Sequence, residues 1–123
     1  MKIIAEIGVN HNGSIKIAKK LVSEAKNCGA DIVKFQTYTS ETLYSKNTPD
    51  FAGYENINDL IKSIELPRSW QKDLKLYCDD TNIEFMSTPF DNDSADMLVN
   101  LGMKGFKIAS CDITNIPFLN FIL

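Results

Sequence analysis

The chain has 123 residues and a net charge of −3, and it is 44% hydrophobic and 24% charged. That balance fits one globular domain with its own core and excludes disordered and fibrous classes. No apolar run approaches the ~20 residues of a membrane helix, Met1–Ile7 meets Glu6 too early for a signal peptide, and no Lys/Arg cluster marks a nucleic-acid surface. Along the chain, Lys2–Ile7 is an apolar, β-branched run that reads as a strand ending at Gly8. Ser14 is the expected N-cap of a helix whose apolar face is Ile17, Leu21, Val22, Ala25 and Cys28, closed by Gly29. Asp31–Thr37 is the second strand. A polar stretch over about residues 38–58 follows, too long for a passive connector, with Ile57–Ile64 expected to be partly helical. Pro67 fits the first turn of a helix with a Trp70, Leu74, Tyr77, Cys78 face, where the aromatic residues read as core. Glu84–Thr88 is the third strand, stopped by Pro89. Asp91 or Asp93 caps a helix carrying Ala95, Leu98, Val99 and Leu101 and closed by Gly102. Lys104–Ala109 is a fourth strand, and Asn115–Leu123 begins another helix.

Alternating strands and helices of this kind form parallel α/β folds. Four units in this length average about 31 residues each, as in a (β/α)8 barrel of about 250 residues. The expected fold class is therefore α/β: the first four βα units of a TIM-type barrel, truncated. A small flavodoxin-like open sheet is the competing reading from pattern alone. An internal echo favours the barrel: Gly29 and Gly102 each precede a lysine, Lys34 and Lys107, by five residues.

Cys28, Cys78 and Cys111 are odd in number and contain no CxxC pair, and His11 is the only histidine. Neither a disulfide framework nor a zinc site is expected, and a reduced, cytoplasmic setting is.

Sites of parallel α/β proteins lie at the carboxyl ends of the strands. Those ends carry Glu6, then Lys34, Gln36 and Thr37, then Ser87 and Thr88, then Lys107, Ser110 and Asp112. A charge at a buried strand end is costly unless it is paired or used. Two lysines flanked by hydroxyls, with one carboxylate nearby, form a suitable cradle for a small polyanion such as a phosphorylated acid. The loop after the first strand, Gly8–Gly13, adds Asn10, His11 and Asn12 as donors and acceptors. Cys111 reads as an incidental small residue.

Four ordered motifs, AEIGVNHNG (5–13), GADIVKFQT (29–37), FMSTPFD (85–91) and FKIASCDITNIP (106–117), resemble the N-terminal half of the sialic acid synthase family. That family includes N-acetylneuraminate and legionaminic acid synthases. The resemblance implies condensation of phosphoenolpyruvate with an N-acylated amino-hexose aldehyde, such as N-acetylmannosamine, to a nine-carbon keto acid and phosphate. It implies that Lys34, Thr88, Lys107 and Ser110 bind phosphoenolpyruvate, that Glu6 is the acid/base, and that Asp112 contacts sugar or water; Gln36 at its strand end and Asn10 and His11 in the loop are further candidates for such contacts. A divalent metal, manganese or magnesium, would polarise the aldehyde, with its histidine ligands in the second half of the barrel. A homodimer, with a C-terminal antifreeze-like domain closing the partner's site, is also implied. Residues 1–123 would be the N-terminal barrel half alone, with the C-terminal half and that domain absent. Ser110-Cys111-Asp112 departs from the family's usual Ser-Gly-Glu, shortening the acid by one methylene. The expectation is a phosphoenolpyruvate half-site without condensation activity of its own, and the alternative is a non-catalytic half-barrel that self-associates.

Overall fold

The computed structural model describes residues 1–45, 48 and 57–123. Three parallel strands, β1 (Ile4–Gly8), β2 (Ile32–Thr37) and β3 (Glu84–Pro89), lie side by side in the order β1-β2-β3. Ile4 pairs with Ile32, Glu6 with Lys34, Lys34 with Met86 and Gln36 with Thr88. A flavodoxin-like sheet would place its first strand between the second and third; the sequential order is that of consecutive βα units.

Six helices among the described residues connect or follow these strands: α1 (Ile15–Asn27), α2 (Ser40–Leu43), α3 (Ile57–Ser63), α4 (Arg68–Asp80), α5 (Asn92–Asn100) and α6 (Ile116–Ile122). The helix starts follow side-chain chemistry. Ser14 Oγ accepts the Ile17 N–H at 3.4 Å, and Asp91, not Asp93, caps α5 by accepting the Ser94 N–H at 2.6 Å. Pro67 stands one position earlier than expected, as the N-cap residue of α4. Helix α3 matches the helical part expected over 57–64, while residues 46, 47 and 49–56 of the polar stretch lie outside the described residues.

The helix ends repeat one device. In α1 the Gly29 N–H bonds Lys26 O and the Ala30 N–H bonds Ala25 O; in α5 Gly102 and Met103 do the same to Val99 O and Leu98 O. In α4, Asn82 and Ile83 bond Asp79 O and Cys78 O, with Asn82 at φ +55 in place of a glycine. This is the paired closure in which a left-handed residue satisfies the last carbonyls of a helix. Asparagine is the side-chain residue most tolerant of that conformation, which is why α4 can end without glycine.

One face of the sheet is covered. Ile7, Val33, Phe35 and Phe85 point toward Ala18 and Val22 of α1, Leu74 and Cys78 of α4, and Leu98 of α5, forming a continuous core. Phe35 and Phe85 stack at 5.6 Å between ring centroids. Burying each large apolar side chain in this layer contributes about 1.5–3 kcal/mol. Trp70 and Tyr77 pack at its edge, in keeping with their reading as core residues. The other face carries Ile4, Glu6, Ile32, Lys34, Glu84, Met86 and Thr88; Ile4 is half exposed, whereas Ile32, Lys34 and Thr88 are buried.

The expected fourth strand does not form. Residues 103–109 run beside β3 with one backbone bond to it, Lys107 N–H to Ser87 O at 3.5 Å. The segment carries Gly105, which weakens extended structure, and its two lysines point to solvent. A strand held from one side by a single long bond lacks the ladder that makes β2 regular.

Candidate functional site

This second face brings three of the expected residues together at the carboxyl end of β2. Glu6 and Lys34 are direct partners across β1 and β2. Thr88 lies two residues past Met86, the β3 partner of Lys34, on the same face. The long lysine side chain spans that diagonal. Lys34 Nζ donates to Thr88 Oγ1 at 3.0 Å and pairs with Glu6 Oε2 at 2.8 Å.

A register shift sits between Glu6 and Gly8, where β1 spends one residue more than β2. Such bulges re-aim side chains beside functional sites. Gly8 adopts φ +55, and a Cβ there would lie 3.1 Å from Glu6 Oε1 and 3.6 Å from Gln36 Nε2. The glycine therefore lets the carboxylate and the Gln36 amide converge over bare backbone. Gln36 is half-buried at this spot. Gly8 is a site-building residue that strand patterning alone does not single out.

The β1–α1 loop behaves differently from a row of free donors. Asn10 is exposed in a turn closed by its own N–H to Ile7 O. His11 is completely buried, against Phe35 at 6.5 Å between rings, and its Nδ1 accepts the Gly13 N–H at 3.2 Å. Its Nε2 has no hydrogen-bond partner among the described residues. Burial pushes the imidazole pKa below its ordinary 6.5, so the ring is held neutral. Gly13 packs so tightly that a Cβ would come 2.6 Å from Ser63 O. His11 thus sits inside the loop, not on the second face.

Thr37 and Ser87, also expected at the strand ends, turn to the covered face. Their hydroxyls bond each other at 2.7 Å, Thr37 donates to Gln71 Oε1 at 3.0 Å, and Gln71 Nε2 donates to Leu66 O at 3.4 Å. The β alternation requires this, because Thr37 is one residue out of phase with Lys34 and Gln36. Gln71, three residues before Leu74 on the buried stripe of α4, was marked only by being polar on an apolar face.

Lys107, Ser110 and Asp112 are not drawn into the Lys34 group. Lys107 and Ser110 are exposed, and Ser110–Asp112 form a single 3-10 turn. Asp112 Oδ1 accepts from Asn115 Nδ2 at 3.5 Å, and Cys111 is exposed beside it. No group of three or more His, Cys, Asp or Glu that could hold a metal occurs among the described residues. His11 offers no ligand either, with Nδ1 engaged and the ring enclosed. The described residues do not fit the implied divalent metal. Among the described residues, no helix is long and apolar enough to cross a membrane.

Residues 21–123 match the NeuB family. The chain is 46% identical over 125 residues to an N,N'-diacetyllegionaminic acid synthase of Legionella pneumophila, covering 95% of this chain and 35% of that protein. It is 44% identical over 127 residues to the synthase of the same name from Campylobacter jejuni, covering 98% of this chain and 38% of that protein. Among solved structures, the N-acetylneuraminic acid synthetase of Leptospira borgpetersenii, determined in complex with citrate, superposes with a TM-score of 0.86 at 37% identity. That match covers 97% of this chain and 39% of the other. The chain thus spans little more than a third of the length of the relatives it matches.

Proposed function

Because this chain belongs to the NeuB family, we propose that it carries the phosphoenolpyruvate half-site of a synthase that condenses phosphoenolpyruvate with an N-acylated amino-hexose aldehyde. The observation that carries this reading is the Lys34 ammonium, buried at a strand end and held between the Glu6 carboxylate and the Thr88 hydroxyl. Lys34 and Thr88 would bind an anionic oxygen of phosphoenolpyruvate, and Lys107 and Ser110 would approach the substrate from the far side of β3. Gln36, Asn10 and Asp112 would supply sugar or water contacts at the rim, while His11 would shape the loop from within.

In the reaction, C3 of the enol forms a bond to the aldehyde carbon. Water adds to C2 and phosphate leaves with its bridging oxygen. Glu6 would take a proton from that water and the aldehyde oxygen would become a hydroxyl with a proton from solvent; the half-exposed Glu6 carboxylate beside Lys34 supports that role. In the same reading the chain is the first four βα units of a (β/α)8 barrel, with metal ligands and an antifreeze-like domain outside it. The sequential parallel sheet covered on one face supports that assignment.

Calorimetry with phosphoenolpyruvate tests the half-site: binding is expected for the 123-residue chain and lost in Lys34→Ala. Unchanged binding by that variant would overturn the assignment. Keto-acid product formed with this chain as the sole protein would overturn the half-site reading in favour of a complete active site. The second reading, a non-catalytic half-barrel that self-associates, is favoured by the exposed apolar side chains Ile3 and Ile4 at the start of β1. Concentration-dependent sedimentation would support it, and a stable monomer would remove it.

A further inference from the structure

We infer that Glu6 is the resident anion of the Lys34 seat, and that a ligand must displace it, which makes the seat selective for dianions over monoanions. The inference rests on the phosphoenolpyruvate reading above and adds to it what decides which anion enters.

The ion pair is lopsided. The Lys34 side chain is 5% exposed and the Glu6 side chain 54% exposed, at a separation of 2.8 Å. A buried ammonium left without a counter-charge is strongly unfavourable, so Lys34 needs an anion at all times. A half-exposed carboxylate loses little by moving into water. The lysine is therefore the fixed element and the carboxylate the exchangeable one. A pair built only to stabilise a core would bury both partners.

The backbone leaves room for the exchange. Glu6 Oε1 lies over Gly8, at 3.1 Å from the point a Cβ would occupy, and Gln36 Nε2 lies 3.6 Å from the same point. No side chain at residue 8 stands between the carboxylate and that amide. Released from Lys34, the carboxylate has solvent and the Gln36 amide within its reach. Thr88 remains on the lysine and keeps the ammonium aimed.

Charge then sets the selectivity. A ligand carboxylate replacing the Glu6 carboxylate trades one monoanion for another and gains little on Lys34. A phosphate dianion brings more charge to the same ammonium and gains on the exchange. The resident carboxylate thus acts as a threshold that a simple carboxylic acid does not pass.

The test is calorimetric titration at about pH 8, where a phosphate monoester is dianionic, of the 123-residue chain, Glu6→Gln and Lys34→Gln with three probes: phosphoenolpyruvate, inorganic phosphate and pyruvate. The chain itself is expected to bind the two phosphates about tenfold or more tighter than pyruvate. Glu6→Gln, nearly isosteric and half exposed, is expected to bind inorganic phosphate about fivefold or more tighter and to narrow the gap to pyruvate. A weaker or unchanged phosphate affinity in Glu6→Gln overturns the inference, while Lys34-dependent binding of phosphoenolpyruvate leaves the half-site reading standing. If the unaltered chain binds nothing measurable, phosphate binding gained by Glu6→Gln supports the inference. Absence of binding in both overturns it together with the half-site.

Discussion

Residues 29–37 and residues 102–109 begin alike, each with a left-handed glycine that closes a helix through the same two backbone bonds and an apolar run with lysine five residues on. From there they part. The first becomes β2, paired on both sides from Ile32 to Phe35, with Lys34 buried; the second runs beside β3 on one long hydrogen bond, with Lys107 exposed. The shared part is local, since a helix C-terminus needs only its own last carbonyls and a residue that tolerates positive φ. The divergent part is collective, because a strand acquires its regular geometry from ladders on its neighbours and its buried lysine from the surfaces those neighbours supply.

The phenylalanines of the two segments give the largest expected difference. Phe35 is fully buried in the core, whereas Phe106 is half-buried at its margin. Phe35→Ala should lower stability by about 3–5 kcal/mol in urea denaturation, and Phe106→Ala by about 1–2 kcal/mol. Equal losses would mean that the 103–109 segment is as firmly built as β2. The lysines come next. Lys34→Ala should weaken phosphoenolpyruvate binding by about 100-fold or more, and Lys107→Ala by about fivefold, as for a solvent-exposed charge contact. The reverse order in calorimetry would place the seat on the fourth segment.

A pH-dependent difference should also belong to the β2 side, where His11 packs against Phe35. Burial lowers its folded pKa below 6.5, so the unfolded chain binds a proton that the folded ring resists. The stability this neutral ring contributes is present above pH 6.5 and is lost as pH falls from there toward the lowered folded value. Urea midpoints should therefore decline as the pH falls below 6.5, and His11→Asn should flatten that decline. The smallest effects concern the shared device. Gly29→Ala and Gly102→Ala meet no atom within 4 Å, so each should cost only the positive-φ penalty of about 1–2 kcal/mol. Asn82→Gly should be nearly neutral or slightly stabilising. A marked inequality between the two glycines in thermal melts would show that the closures are not equivalent.

Much of the fold was legible because it depends on short-range chemistry. Ser14 announces α1 by its hydroxyl, Gly29 and Gly102 announce helix ends, and the β-branched runs before Gly8 and around Val33 announce β1 and β2. The site was legible in part for the same reason: alternation along β2 puts Lys34 and Gln36 on one face. Asn82 carries no glycine signal because it does a glycine's work as asparagine, and Gln71 carries none because its partner Thr37 stands on a strand distant in sequence. Thr37 and Ser87 stand at strand ends like the site residues, but the phase of the pleat sends them to the core side.

By itself, the sequence determined the alternation of strands and helices, the caps, and a set of charged strand ends whose ordered motifs resemble one enzyme family. Those properties follow from φ/ψ preferences, side-chain periodicity and capping, all of which act within a few residues. The tertiary structure decided which strand ends meet. It joined Glu6, Lys34 and Thr88 across three strands, enclosed His11, turned Thr37 and Ser87 inward, and left 103–109 outside the sheet. These outcomes depend on register and on which neighbour covers each face, and both are settled only when distant segments pack together.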